Sequence, residues 1–129
     1  MDTPIFMHGQ WADHYDDPSH PIPSLTAIDV QAIRPDGGAD LTIVIASPLR
    51  DDERSRERLL AKIDVYVRFL KSADFSRDCG TATPSNTMLL VSIHPDSDPG
   101  LFDLIDSCRG WVLENGATLG LELRHASMH

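Results

Sequence analysis

The chain has few of the residues on which specialised small proteins depend. Its 129 residues include only two cysteines, Cys79 and Cys108, and no Cys-x-x-Cys pair, which excludes the common zinc and redox motifs. Its longest apolar runs, such as residues 41–46, are far shorter than the about 20 residues that span a bilayer. No Lys or Arg precedes Arg34, so a secretory signal is not expected. We therefore expect a cytoplasmic protein in a reducing compartment.

Motifs of hydrolase and nucleotide chemistry are missing as well. None of the serines lies in a Gly-x-Ser-x-Gly nucleophile elbow. No glycine-rich phosphate loop occurs, because residues 36–39, Asp-Gly-Gly-Ala, have the composition of a turn. The sequence thus favours a protein without catalytic activity and predicts no cofactor.

Positive charge is scarce. The 11 Lys and Arg residues are outnumbered by 20 Asp and Glu, which gives a formal net charge of −9. Binding to nucleic acid or to an anionic membrane is electrostatically unfavourable for such a chain. A basic protein partner is favoured instead.

Hydrophobic periodicity predicts strands and helices from residue 25 onward. Alternation over residues 28–32, a turn at residues 35–38 and an apolar run over residues 41–46 indicate a β-hairpin. Apolar residues at helical spacing within residues 50–72 indicate an amphipathic helix. Residues 87–93 and 119–123 read as further strands. A second helix is predicted between residues 98 and 116, after the N-cap pair Asp98-Pro99 and before a glycine stop.

These elements predict an α+β fold in the order ββαβαβ. Two right-handed crossovers in the same direction give a two-layer sandwich, in which a four-stranded mixed sheet of order 1-2-3-4 carries two helices on one face. The other face then presents Thr42, Val44, Met88, Leu90 and either Ile33 or Gln31, a partly apolar surface that needs cover.

An N-terminal arm is a candidate for that cover. Residues 1–24 are rich in proline, contain no basic residue and show no periodicity. We interpret them as an extended arm, followed by one domain over residues 25–125 and a tail at 126–129. Either the arm or a second copy covers the open face, so a homodimer or other homo-oligomer is one expectation. The predicted partner contacts are Trp11, Tyr15, Val44, Met88 and Leu90.

The central stretch resembles a family of small uncharacterised bacterial domains. Asp40-Leu41-Thr42-Ile43, the acidic loop at residues 51–53 and the helix from Leu59 to Ser72 look like that family's pattern of a Leu-Thr-Ile strand followed by Leu-Leu-x-Lys-Ile-x-x-Tyr-x-x-Phe. The resemblance implies a domain of unknown function in a bacterial protein. It implies no activity and no catalytic residue.

Two clusters of polar residues allow a functional and a structural interpretation. His94, Asp96 and Asp98 follow a central strand, where an imidazole and two carboxylates can hold a metal ion or exchange protons. Capping and turn residues have the same composition. Arg50, Arg54, Arg58 and Lys62 recur every four residues, as in a phosphate-binding or acidic-partner stripe or in an ordinary charged helix surface.

Two functions remain open on this evidence. The first is a non-catalytic protein-binding or self-assembling domain, for instance an immunity-like protein that neutralises a basic toxin. The alternative is a metal-binding protein or metal-dependent enzyme that uses His94, Asp96 and Asp98. Histidines of the arm, at positions 8, 14 and 20, have no spacing of a known zinc module.

Overall fold

A computed structural model describes residues 16–124, which form one four-stranded sheet with helices. The sheet order is β1-β2-β3-β4, with β1 antiparallel to β2, and β2, β3 and β4 parallel. This confirms the predicted α+β fold and its strand order. In chain order the elements are β1 (Val30–Ile33), β2 (Ala39–Ile45), α1 (Glu53–Phe69), α2 (Ala73–Cys79), β3 (Met88–Ile93), α3 (Pro99–Ser107), α4 (Arg109–Glu114) and β4 (Thr118–Leu123).

The core lies between the helices and one face of the sheet. Leu41, Leu89 and Leu119 stand side by side in adjacent strands and are 0–3% exposed. They share one hydrophobic cluster with residues of α1, such as Ile63, and of α3, such as Ile105. Each fully buried Leu or Ile contributes about 1.5–3 kcal/mol relative to exposure. The two-layer arrangement therefore follows from the alternation of the strands.

The helices differ from the prediction in number. Residues 73–79, expected to be loop, form the short helix α2 because the Ser72 side chain accepts the Phe75 N–H at 3.1 Å and because Phe75 and Cys79 are buried one turn apart. Gly80, with φ +78°, ends it. Cys79, at the end of α2, is 3% exposed and Cys108 is 4% exposed, and both are free thiols.

The second predicted helix is divided into α3 and α4. The break falls at Cys108, whose N–H bonds to the Ile105 carbonyl three residues earlier at 2.9 Å. The helical spacing of the apolar residues continues across this tight turn, since Ile105 and Val112 are both fully buried. Sequence periodicity alone does not detect the break. Gly116, with φ +103°, follows α4 as the predicted stop.

Residues 17–29, here called the strap, lie along α1 ahead of β1. The strap contains neither helix nor strand. Ile22 and Leu25 are each 1% exposed and belong to the core cluster. The predicted arm, residues 1–24, thus includes at least one core residue, and its remainder, residues 1–15, lies outside the described part of the chain.

Candidate functional site

The open face is the side of the sheet that the described helices do not cover. Its central row is continuous across the sheet, because Val30 pairs with Thr42, Thr42 with Leu90 and Leu90 with Gly120. Met88 and Val44 lie on the same face, two residues from Leu90 and Thr42. Val30 is 47% exposed and Ala32 is also exposed, whereas Val44, Met88 and Leu90 are partly buried. The result is a surface of three strands that is apolar across its centre and has the Asp40 carboxylate beside Ala32 and Met88.

The structure brings together the predicted contact residues that it describes. Val44, Met88 and Leu90 share the open face. Trp11 and Tyr15 lie outside the described residues. Ile33 or Gln31 was expected to be the β1 residue on the open face, which is wrong. The observed register places Val30 and Ala32 on the open face and Ile33 on the helix side. A shift of one residue in register moves every side chain of a strand to the opposite face of the sheet. The sequence of β1 alternates too weakly to specify which face each side chain occupies.

The basic row of α1, which consists of Arg54, Arg58 and Lys62, is not an ordinary charged helix surface. Two of its members, Arg58 and Lys62, are each 1% exposed. Lys62 Nζ donates to the Ser24 carbonyl at 2.6 Å, the Ala27 carbonyl at 2.9 Å and Asp29 Oδ1 at 3.0 Å. An ammonium has three N–H donors, so every one is used. The row binds the chain's own strap and is not available for an external phosphate.

Arg58 and Arg54, which lie nearer the N-terminus of α1, also bind the strap. Arg58 Nε and Nη2 both donate to the Ile22 carbonyl, at 3.1 and 2.6 Å. Arg54 pairs with Asp17 at 2.7 Å. The Ser19 hydroxyl, and then the Arg54 guanidinium, hold the pKa of Asp17 well below its usual range. Cations at three successive turns of α1 therefore position the strap from residue 17 to residue 29.

Asp29 joins the strap to the sheet. Its Oδ2 accepts the Val44 N–H at 2.9 Å, and its own N–H donates to Tyr66 Oη at 2.6 Å. Tyr66 Oη in turn donates to the Thr42 carbonyl at 2.8 Å. Burial raises the pKa of Tyr66, so its hydroxyl keeps the proton that this hydrogen bond needs.

The His94 loop ties two connections of the sheet together. Asp98 Oδ2 accepts the Asp51 N–H at 2.7 Å, and Asp98 Oδ1 pairs with Arg50 at 3.0 Å. The Asp51 N–H, and then the Arg50 guanidinium, lower the pKa of Asp98. His94 Nδ1 accepts the N–H of Asp96 at 3.0 Å. These contacts support the structural interpretation of the loop.

The metal interpretation gains no support from this geometry. Among residues 16–124, no group of three or more His, Cys, Asp or Glu side chains is placed to hold a metal ion. Both oxygens of Asp98 and one ring nitrogen of His94 already have partners in the loop. His94, Asp96 and Asp98 are thus turn and capping residues in the described structure.

Within residues 16–124, neither end of the parallel strands lies where the crossovers diverge in direction. In open α/β sheets, ligands bind where successive crossovers diverge in direction, whereas both crossovers here move the same way along the sheet. A cleft of about 400 Å³ with a mixed polar and apolar lining lies near the start of β4, lined in part by Lys71, Glu114 and Asn115. Lys71 Nζ donates to the Asn115 side chain. This lining offers no pairing of nucleophile and base.

Most basic side chains have an acceptor within the chain, whereas several carboxylates have none among the described residues. Ten of the eleven Lys and Arg side chains donate to an acceptor of the same chain. Among residues 16–124, the carboxylates of Asp36, Asp103, Glu114 and Glu122 form no ion pair or hydrogen bond. The net negative charge is therefore presented to solvent.

Comparison with known proteins adds no functional information. No protein-family model, curated protein or solved structure matches this chain. The resemblance to a family of small bacterial domains stays a prediction. Within the described residues, no helix has the length and apolar character needed to cross a membrane.

Proposed function

We propose that this protein is a non-catalytic binding domain that engages a basic protein partner through the open face of its sheet. The observation that carries the proposal is the open face itself. Val30, Val44, Met88 and Leu90 form a connected apolar surface across three strands, and the described residues place no layer over it. Uncovered apolar surfaces of this kind are typical of protein interaction sites.

Charge selects the kind of partner. Each copy carries a net charge of −9, so two copies repel each other on approach, whereas a basic partner is attracted. Exposed ion pairs such as Arg77 with Asp74 neutralise some carboxylates at the surface, but the net charge of −9 remains. A basic protein with an apolar patch fits these features better than a second copy. A basic toxin neutralised by this chain in an immunity-like role is one such partner.

The proposal also includes a cellular location and a role for the N-terminal arm. The two buried free cysteines, Cys79 and Cys108, are compatible with a reducing cytoplasm. Trp11 and Tyr15 are proposed as additional contacts, because aromatic residues are enriched at interfaces. Their alanine variants are expected to weaken the same interaction.

The test compares two substitutions in the same strand. Val30 and Ile33 are 47% and 53% exposed, but Val30 lies on the open face and Ile33 on the helix side. Val30→Lys and Ile33→Lys therefore make the same change in net charge at similar exposure. Full-length wild type and both variants are used to capture proteins from lysate of the source organism, and each retained protein is quantified by mass spectrometry.

The proposal expects a basic protein whose retention falls about tenfold or more with Val30→Lys and is kept with Ile33→Lys. Retention should also weaken as salt rises, since the attraction is screened. Three outcomes overturn the proposal. They are equal retention by both variants, an acidic partner, and a wild-type homodimer in light scattering that Val30→Lys dissociates.

A further inference from the structure

We propose that His20 is an acid-sensitive latch, whose protonation releases residues 17–21 of the strap from the first half of α1 while Ile22 and the sheet stay in place. This inference is independent of the proposed partner. It concerns how the N-terminal segment is held on the domain.

Both ring nitrogens of His20 have partners that define one neutral form. Nδ1 accepts the Ile22 N–H at 2.9 Å, so this nitrogen carries no proton. Nε2 lies 3.0 Å from Ser55 Oγ and is the nitrogen left to bear the hydrogen. Ser55 is 3% exposed and belongs to α1. The ring therefore connects the backbone of the strap to the helix.

Protonation is incompatible with this arrangement. A charged imidazole is a donor at both nitrogens, so Nδ1–H would face the N–H of Ile22. The new charge would also lie near the guanidiniums of Arg54 and Arg58. Burial, and then the positive charges of Arg58 and Arg54, lower the pKa of His20 from its usual value of 6.5.

Nearby carboxylates oppose this effect but are already engaged. Asp17 of the strap and Asp52 of α1 both favour the charged ring. Asp17 accepts from Ser19 and Arg54, and Asp52 Oδ1 accepts the Ser55 N–H at 2.7 Å. Their effect on the His20 pKa is smaller than that of burial and of the two guanidiniums, so the pKa stays lowered.

The direction of the pH dependence follows. Because the pKa is lower in the folded state, the latch is fully stabilising above about pH 6.5. Its contribution is lost as pH falls from there toward the folded pKa, since the unfolded state binds more protons in that window. Ile22 is held by Arg58, and the second half of the strap by Lys62 and by burial of Leu25, contacts in which His20 takes no part. Release is therefore local.

The experiment is NMR of the ¹⁵N-labelled full-length chain between pH 7.5 and 5.0. At pH 7.5, His20 should show the Nε2–H tautomer. Hydrogen exchange at the Ile22 amide, corrected for its intrinsic pH dependence, should lose protection as pH falls below 6.5, by up to about tenfold for each pH unit over which only the released ring is protonated. The Val91 amide, in the central strand β3, should keep its protection.

The matched variant is His20→Asn. Asparagine can accept the N–H two residues later in an Asx turn and does not titrate, so Ile22 protection should become independent of pH. Equal loss of protection in wild type and His20→Asn would overturn the latch, as would constant protection in wild type. The wild-type tautomer is a check that needs no variant: a charged ring or an Nδ1–H tautomer at pH 7.5 would overturn the proposal on its own.

Discussion

The buried ammonium of Lys62 yields the sharpest test of how the strap is held. Its side chain is 2% exposed and serves three acceptors of the strap, at Ser24, Ala27 and Asp29. Lys62→Met keeps the aliphatic stem and removes the charge. Each hydrogen bond to a charged group contributes about 1.5–3 kcal/mol, but removing the ammonium also removes its desolvation penalty of several kcal/mol.

The net loss is estimated from these opposing terms. Removing one partner of a buried ion pair costs about 3–5 kcal/mol. Asp29 is 22% exposed and keeps its bond from the Val44 N–H, so water can partly replace the ammonium. We therefore expect the low end, about 3 kcal/mol. For a chain of this size that lowers Tm by about 9–15 °C.

The assay is urea unfolding followed by circular dichroism, with thermal unfolding alongside. Lys71→Met is the matched control, because Lys71 is exposed and its loss should cost about 0.5 kcal/mol or less. Adding Asp29→Asn to Lys62→Met should recover about 1 kcal/mol, since the unpaired carboxylate is removed. A loss below about 1 kcal/mol for Lys62→Met would refute the account of the basic row.

Three further predictions concern other parts of the fold. Tyr66→Phe should cost about 1–3 kcal/mol in urea unfolding, because a hydroxyl that donates to a β2 carbonyl and accepts a strap N–H is lost; a neutral result would contradict the bridge. Gly38→Ala should destabilise by about 2 kcal/mol or more, since Gly38 has φ +83° and its Cβ would clash with the Asn86 carbonyl oxygen. Gly110→Ala, with open space in α4, should instead stabilise by about 0.4–1 kcal/mol. Equal effects of the two would refute this contrast. Folding stability should fall again as pH drops below about 3.8, because the pKa values of Asp17 and Asp98 are lowered in the fold; Asp98→Asn should reduce the slope there, and an unchanged slope would contradict the role of that carboxylate.

The sheet was predictable because its determinants are local. The apolar run of β2 and the alternation of β4 distinguish a central strand from an edge. Two helical crossovers then allow one order by handedness. The phase of β1 was not predictable to the same degree, since all four of its residues are exposed and neither face is strongly selected.

The roles of the candidate site residues were harder to predict, because they depend on contacts between residues that are distant in sequence. Lys62 and Ser24 are 38 residues apart, and nothing in the four-residue repeat of cations distinguishes a buried row from a solvated one. One signal was present: Arg58 and Lys62 directly precede Leu59 and Ile63 of the apolar stripe. Charges at the border of a buried face need internal acceptors. The proline-rich strap supplies backbone carbonyls for that purpose.

The central claim, that the open face binds a basic protein, is tested most directly at Met88. Its methyl group lies on that face, and the chain labelled with ¹³C-methyl methionine can be observed in buffer and in unlabelled lysate of the source organism. The account predicts that the Met88 signal broadens or shifts in lysate, returns at high salt, and responds in Ile33→Lys but not in Val30→Lys. A Met88 signal that is unchanged by lysate, or changed equally in both variants, would contradict it.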